Sequence, residues 1–309
     1  RNFNLAFINI GWDYFQVVAM FTDADVNWPP ILYQFYMFLS FFSFDIDIVT
    51  PECLLPELGY EVKFYGVILS PVYTGVIVFI VFLFYNCYNR LFLRRKRDKT
   101  AWARFFSAYW MCVYFLYITV TRKALEIFNC NPTKPYDGYL YTEFVDYQCD
   151  SGLCRCGDPD HLQVKLIIPA VLALLIVTLG FPIYVMYVVK KHHVLVKEDQ
   201  ILRAYEIGDT KNENPDAFHI RIQYHKMYYH FKPGKVYWIV IIIFRKTLIA
   251  FAALVFRSNP GFQLAFVLLV LFLSYILQVQ NQPFMSTVQR NETIRIHKHK
   301  TYVEKNPVH

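Results

Sequence analysis

The chain of 309 residues carries 56% hydrophobic and 19% aromatic side chains against 18% charged ones, with a mean hydropathy of +0.27. Average globular chains are about 45–50% apolar and about 25% charged. Disorder, coiled coil, collagen and an ordinary soluble enzyme are excluded as readings of the whole chain, and long apolar runs point to an integral membrane protein. The formal net charge of +7 sits mostly in basic loops between those runs. It is weak reason to expect anionic lipid headgroups and no reason to expect nucleic acid. Arg1 as the first residue reads as a fragment or processed chain, and no signal peptide is in view.

A bilayer core about 30 Å thick needs about 20 apolar residues of helix. Residues 3–21 are long enough but polar on one face, where Asn2, Asn9, Asp13 and Gln16 recur at helical spacing. That face is expected to look into a bundle, with Ala6, Ile10, Phe15 and Val18 nearer lipid. Residues 31–44, entered through Trp28-Pro29-Pro30, would make only about 21 Å of helix. They read as a re-entrant or interfacial helix, with a full span as the alternative. Residues 64–88, 102–121, 166–189, 236–256 and 262–280 qualify cleanly. The expected fold is therefore all-α: a polytopic transmembrane helix bundle over residues 1–285, with six full spans plus one short helix, and a tail over 286–309. Pro71 and Pro182 fall inside expected spans, where each frees a backbone carbonyl and allows a kink.

Loop charges set the orientation. Residues 90–104 hold seven Lys/Arg and one Asp, so that loop is expected in the cytoplasm. Residues 129–164 hold Lys134 and Arg155 against six acids, which places them outside or in a lumen. The connector 190–235 carries nine Lys/Arg and six acids, and the tail is basic, so both read as cytoplasmic. Within the connector, residues 208–216 (GDTKNENPD) read as a loop. Residues 218–230 read either as an amphipathic helix on the inner leaflet or as a packed connector. If 31–48 spans fully, the count becomes seven and Arg1 moves outside.

Cys53, Cys130, Cys149, Cys154 and Cys156 all fall in segments expected outside, which implies an oxidising compartment. Five is odd, so at least one thiol is left over. A bond from Cys130 to Cys149 or Cys154 is preferred, because each closes a short loop. Cys149, Cys154, Cys156 and His161 do not have standard zinc spacing, so disulfide outweighs metal and no metal site is expected.

The order of landmarks carries a resemblance. Phe15-Gln16-Val17-Val18 leads, then Asp25-Val26-Asn27-Trp28-Pro29-Pro30, and a short aromatic segment ends FSFDIDIVTPEC at Cys53. Tyr147-Gln148-Cys149, Gly180-Phe181-Pro182, Tyr228-Tyr229-His230-Phe231-Lys232-Pro233, Tyr237-Trp238, Phe244-Arg245-Lys246 and Gln282-Pro283-Phe284 follow. Across nearly the whole chain this resembles the C-terminal multi-span region of large protist and algal surface proteins. Those proteins carry Cys-rich EGF-like or ephrin-receptor-like ectodomains, and their membrane region is described as transient-receptor-potential-like or polycystin-like. The resemblance implies a large exterior region before Arg1, a plasma or ciliary membrane location and, by analogy, a cation channel for Ca²⁺, Na⁺ or K⁺. The turn 257–261 is too short for a filter loop between the last two spans, so a pore would need another origin, such as 31–44.

Charges inside a membrane are costly and default to functional hypotheses. Arg245 and Lys246 lie about 15 Å into 236–256, near mid-membrane. Lys246 is expected to snorkel, and Arg245 to find a carboxylate or helix-end carbonyls, with Asp13 the best partner. They form either an ion-path pair or an internal clamp, and the clamp is the simpler account. Asn9, Asp13, Gln16, Asp45, Asp47, Arg245 and Lys246 are the candidates for a hydrated path. Asp45 and Asp47, with Glu52 and Glu57, make either a cation vestibule or a solvated acidic loop. Arg94, Arg95, Lys96 and Arg97 read as a topology determinant with lipid headgroups as a second role. Serine-hydrolase, zinc-protease, P-loop and dinucleotide signatures are absent, so no enzyme and no cofactor are expected. The expected function is an ion-conducting or mechanosensory membrane domain; the alternatives are a receptor or anchor, and a homo-oligomeric or structural subunit of a larger membrane assembly.

Overall fold

The computed structural model describes residues 5–19, 28–40, 60–92, 100–132, 140–142, 156–157, 162–256 and 259–305. Helix α1 spans Leu5–Ala19 and α2 spans Pro30–Ser40. Proline suits the first position of α2 because its φ is preset and its missing N–H would be unpaired there anyway. The ring of Trp28 meets Tyr36 edge-on at 5.2 Å and closes this entry.

The expected span over 64–88 is broken, and its boundary is corrected. Helix α3 covers Tyr60–Ile68 and α4 covers Ser70–Leu91. Pro71 has no N–H to donate to the Val67 carbonyl, so the ladder stops there. The Leu69 carbonyl accepts from Val72 and Tyr73 at 2.9 and 3.0 Å, and the long apolar helix starts afresh. Helix α5, Ala101–Glu126, runs past the expected 102–121. Its added turn is held by Lys123, which pairs with Glu126 at 3.0 Å and lies 4.7 Å over the Tyr60 ring.

Strands β1 (Cys130–Pro132) and β2 (Leu140–Thr142) pair antiparallel, with Cys130 opposite Thr142. Next come α6 (Leu162–Ala173), a π turn over Leu174–Leu179, and α7 (Gly180–Lys191). Helices α8 (His193–Ala204), α9 (Phe218–Tyr228), α10 (Trp238–Val255), α11 (Pro260–Asn281) and α12 (Thr287–Lys305) complete the order. Among the described residues, four helical stretches are long and apolar enough to cross a membrane: Ser70–Leu91, Ala101–Glu126, Leu162–Lys191 and Pro260–Asn281. Helices α1 and α2, at 15 and 11 residues, are shorter than a span.

The chain forms two compact units. The first comprises Arg1–Tyr73, Val113–Phe181 and Phe244–Ser274. Its core gathers Val17 of α1, Ile118 of α5, Ile249, Ala250 and Ala252 of α10, and Val267 and Val270 of α11. A second cluster joins Tyr60 and Phe64 of α3 to Ile127, Leu162, Leu166 and Ala170. Where α5 meets α6, the small side chains of Ala124 and Ala173 pack beside Val120, with Ile68, Leu174 and Val177 around them.

The second unit comprises Thr74–Cys112, Pro182–Ile243 and Tyr275–His309. In it α8 packs against both α9 and α12. Val196, Asp199, Gln200 and Ala204 of α8 are buried, one stripe at helical spacing. The segment expected as an amphipathic or packed connector is helix α9, which buries Ile220, Met227 and Tyr228. The chain after α11 pairs back on the connector. Lys232 N donates to Pro283 O at 2.8 Å and Met285 N to His230 O at 2.9 Å, around the Phe231–Phe284 bridge.

Candidate functional site

The polar groups of the first unit converge where α1, α5, α10 and the π turn pack. Lys246, 1% exposed, donates from Nζ to Gln16 Oε1 at 2.9 Å and stands 4.6 Å over the Tyr114 ring. Gln16, fully buried, donates from Nε2 to the Phe115 carbonyl at 3.1 Å. The expected roles of the adjacent cations are thereby exchanged. Lys246 is enclosed rather than snorkelling, and Gln16 is an amide partner on the face where a carboxylate was expected. Arg245 points about 100° away, is half-buried, and its Nε has no acceptor among the described residues. Asn9 and Asp13 lie on the backbone of α1, but their side chains fall outside the described residues.

One residue beyond Lys246, Thr247 joins a second network. Tyr117 OH donates to Thr178 O at 3.1 Å, and Thr247 Oγ1 lies 2.7 Å from the same hydroxyl. Thr121 Oγ1 donates to Tyr117 O at 2.8 Å, and Thr178 Oγ1 lies 2.9 Å from it. With Tyr117 donating to the carbonyl, Thr247 donates to Tyr117 and Thr178 to Thr121, so each hydroxyl proton has an acceptor. The Thr178 carbonyl is free because Pro182, four residues on, has no N–H. The π turn before Gly180 widens the helix at the same place.

At the far end of the first unit, Cys130 is bonded to Cys156, across a separation of 26 residues. This corrects the preferred pairing with Cys149 or Cys154; those two and Cys53 lie outside the described residues. Cys156 N donates to Leu140 O at 2.8 Å, so the bond fastens onto the β1–β2 hairpin. Buried Gln163, in the first turn of α6, donates to Ile127 O at 2.9 Å and approaches Cys130 Sγ and Cys156 Sγ at 3.2 and 3.6 Å. Its Oε1 accepts from Gly157 N at 3.0 Å.

In the second unit, the organising group is Asp199, 2% exposed. Tyr228 OH donates to Oδ2 and Asn214 Nδ2 to Oδ1, both at 2.9 Å, and Arg221 Nη1 lies 3.5 Å from Oδ1. Burial pushes the Asp199 carboxyl above its ordinary value, while Arg221, Tyr228 and Asn214 pull it back. Burial and the charge of Asp199 push the Tyr228 hydroxyl far up. Arg221 also bonds Asp209 at 2.6 Å and the Ile207 carbonyl at 3.1 Å. Gly208 has φ +95°, a backbone conformation that side chains with a Cβ rarely adopt, so this turn favours glycine. The loop over 208–216 is thus a built element. Glu213 accepts from Gly208 N at 3.0 Å, which holds its carboxyl below the usual value, and Asn214 Oδ1 accepts from Ala217 N at 3.1 Å.

Asp45, Asp47 and the basic run Arg94, Arg95, Lys96 and Arg97 lie outside the described residues. Sequence reading did not single out Tyr117, Thr121, Thr178, Gln163, Asp199 or Arg221. Two signals were available. Pro182 marks Thr178 as a freed acceptor, and the stripe Val196, Gln200, Ala204 puts Asp199 on the apolar side of its helix. Comparison with protein-family models, curated proteins and solved structures gave no match for this chain.

Proposed function

We propose that the chain is a receptor or anchor domain of a membrane protein. In this reading the first unit carries an exterior, disulfide-tied hairpin, and the second unit is a cytoplasmic helical platform of α8, α9 and α12. The observation that carries this reading is the enclosure of the intramembrane polar groups. Lys246, Gln16, Tyr117 and Thr121 are all at most 1% exposed, and their hydrogen bonds are made to each other and to neighbouring helices. A hydrated cation path needs polar groups left for water and ions, and a buried ammonium opposes cations by charge. In this reading six helices cross the bilayer with both ends in the cytoplasm. Helix α10 crosses with Lys246 turned into protein, and the span over residues 3–21 crosses with Gln16 inward. The order of motifs shared with protist surface proteins fits such an anchor for a large exterior region, in a plasma or ciliary membrane.

The test is cation flux through full-length protein in liposomes under voltage, membrane tension and Ca²⁺. Wild type and Gln16→Leu are both expected to be silent, with the variant less stable. Wild-type flux that Gln16→Leu alters would overturn the reading and restore a transient-receptor-potential-like channel.

A further inference from the structure

On the platform of the second unit, two guanidinia keep a buried N–H without an acceptor among the described residues. Arg221 is matched by Asp199 and Asp209, and Arg290 of α12 is paired with Glu206. Arg203 of α8 has no carboxylate partner among the described residues. Its guanidinium lies flat on the Tyr229 ring, 3.4 Å from the centroid, which fixes its plane. Its Nη1 is buried and finds no acceptor among the described residues, and the same holds for Nε of Arg290. The Arg290–Glu206 ion pair brings α12 to the end of α8, three residues beyond Arg203, on helices that pack together. An orphaned guanidinium N–H shielded from water costs more than an ordinary missed hydrogen bond. Two of them on facing helices describe a place built for an anion.

The chemistry of the anion follows from the donors. Guanidinium forks match the oxygens of carboxylate and phosphate. Two guanidinia plus the first turn of α12, where Arg290 is the fourth residue, favour a dianion with three terminal oxygens.

We infer that Arg203 and Arg290 form a binding site for a phosphomonoester, held between α8 and α12 with Glu206 as the competing anion. The phosphate belongs either to a lipid headgroup or to a soluble phosphate, and the same side chains serve both. The site is independent of whether the first unit conducts ions.

The test uses the full chain in nanodiscs of phosphatidylcholine alone, with added phosphatidylserine, or with added phosphatidylinositol 4-phosphate. Inositol 1,4-bisphosphate added to detergent-solubilised protein is the soluble arm. Binding is read by tryptophan fluorescence and by the shift in melting temperature. Phosphatidylinositol 4-phosphate or inositol 1,4-bisphosphate is expected to bind and to raise the melting temperature, and phosphatidylserine is not. Binding in nanodiscs alone assigns a lipid headgroup, and equal binding in detergent assigns a soluble phosphate. Arg203→Gln and Arg290→Gln should each weaken binding about tenfold. Glu206→Gln should tighten it, a gain that misfolding cannot produce. Absence of binding to wild type in both arms overturns the inference. So does unchanged affinity in the two arginine variants together with no gain in Glu206→Gln.

Discussion

Tyr117 shows how one hydroxyl can tie a membrane bundle together. Its ring packs at the junction of α5, α7 and α10, 5.9 Å from Phe181, and its oxygen sits between Thr178 O and Thr247 Oγ1. Hydrogen bonds between helices in lipid are individually modest. Tyr117→Phe should cost about 1–2 kcal/mol of unfolding free energy in detergent. The cost should shrink in a Pro182→Ala background, because alanine restores an N–H that can satisfy the Thr178 carbonyl in place of the tyrosine. A double-mutant cycle reads this, and equal costs in both backgrounds would refute the assignment. The proline was visible in the sequence. The partner of its freed carbonyl was not, since Tyr117 is 61 residues away along the chain.

At the level of elements, apolar length and helical phase read well, and breaks within apolar runs read poorly. Residues 102–121, 166–189 and 262–280 each fall inside a helix long enough to cross. The run 64–88 does not, because Pro71 moves the start of the helix, and a window of hydropathy averages over a single missing N–H. The hairpin was misread for a different reason. Loop length permits several pairings of Cys130, while backbone pairing of β2 with Cys156 selects one. Peptide mapping under non-reducing conditions should recover the Cys130–Cys156 peptide rather than one joining Cys130 to Cys149 or Cys154. Replacing both cysteines by serine should cost about 3.5 kcal/mol, by the loop-closure relation for a loop of this size; a change below about 0.5 kcal/mol would show that Gln163 and the strands hold the hairpin alone.

For the whole molecule, the platform of the second unit sets a pH dependence. His225 is half-buried near Lys226 and Arg221, and desolvation holds its imidazole below the ordinary value, against hydrogen bonds it donates to the Arg221 and Ile222 backbone carbonyls, which raise it. The unfolded chain therefore binds more protons than the folded one between the depressed value and the ordinary imidazole value. Stability is full above the ordinary value and is lost as pH falls through that window. Asp199 has the opposite sign: its raised carboxyl lowers stability as pH rises just above the ordinary carboxylate range. Melting of the full chain followed from pH 8 to pH 5 should show a fall toward the acid end that is smaller in His225→Gln. An identical fall in that variant would place the titrating group elsewhere, with His192, also held low by burial, as the next to replace.

The helical class, the apolar runs over 102–121, 166–189 and 262–280, and the loop over 208–216 were legible from the chain. Each is local: about 20 consecutive residues suffice to decide whether a helix can bury itself in hydrocarbon. The pairing of charges was not local. Lys246 rather than Arg245 is enclosed because the phase of α10, set by packing of Ile243, Ile249 and Ala250, turns that position toward Gln16 of α1, 230 residues away. Asp199, Arg221 and Tyr228 read as ordinary polar residues of a connector until α8 and α9 pack and bring them together. Burial strengthens electrostatics and makes each unmatched group costly, so the identity of every partner is settled by which helices meet.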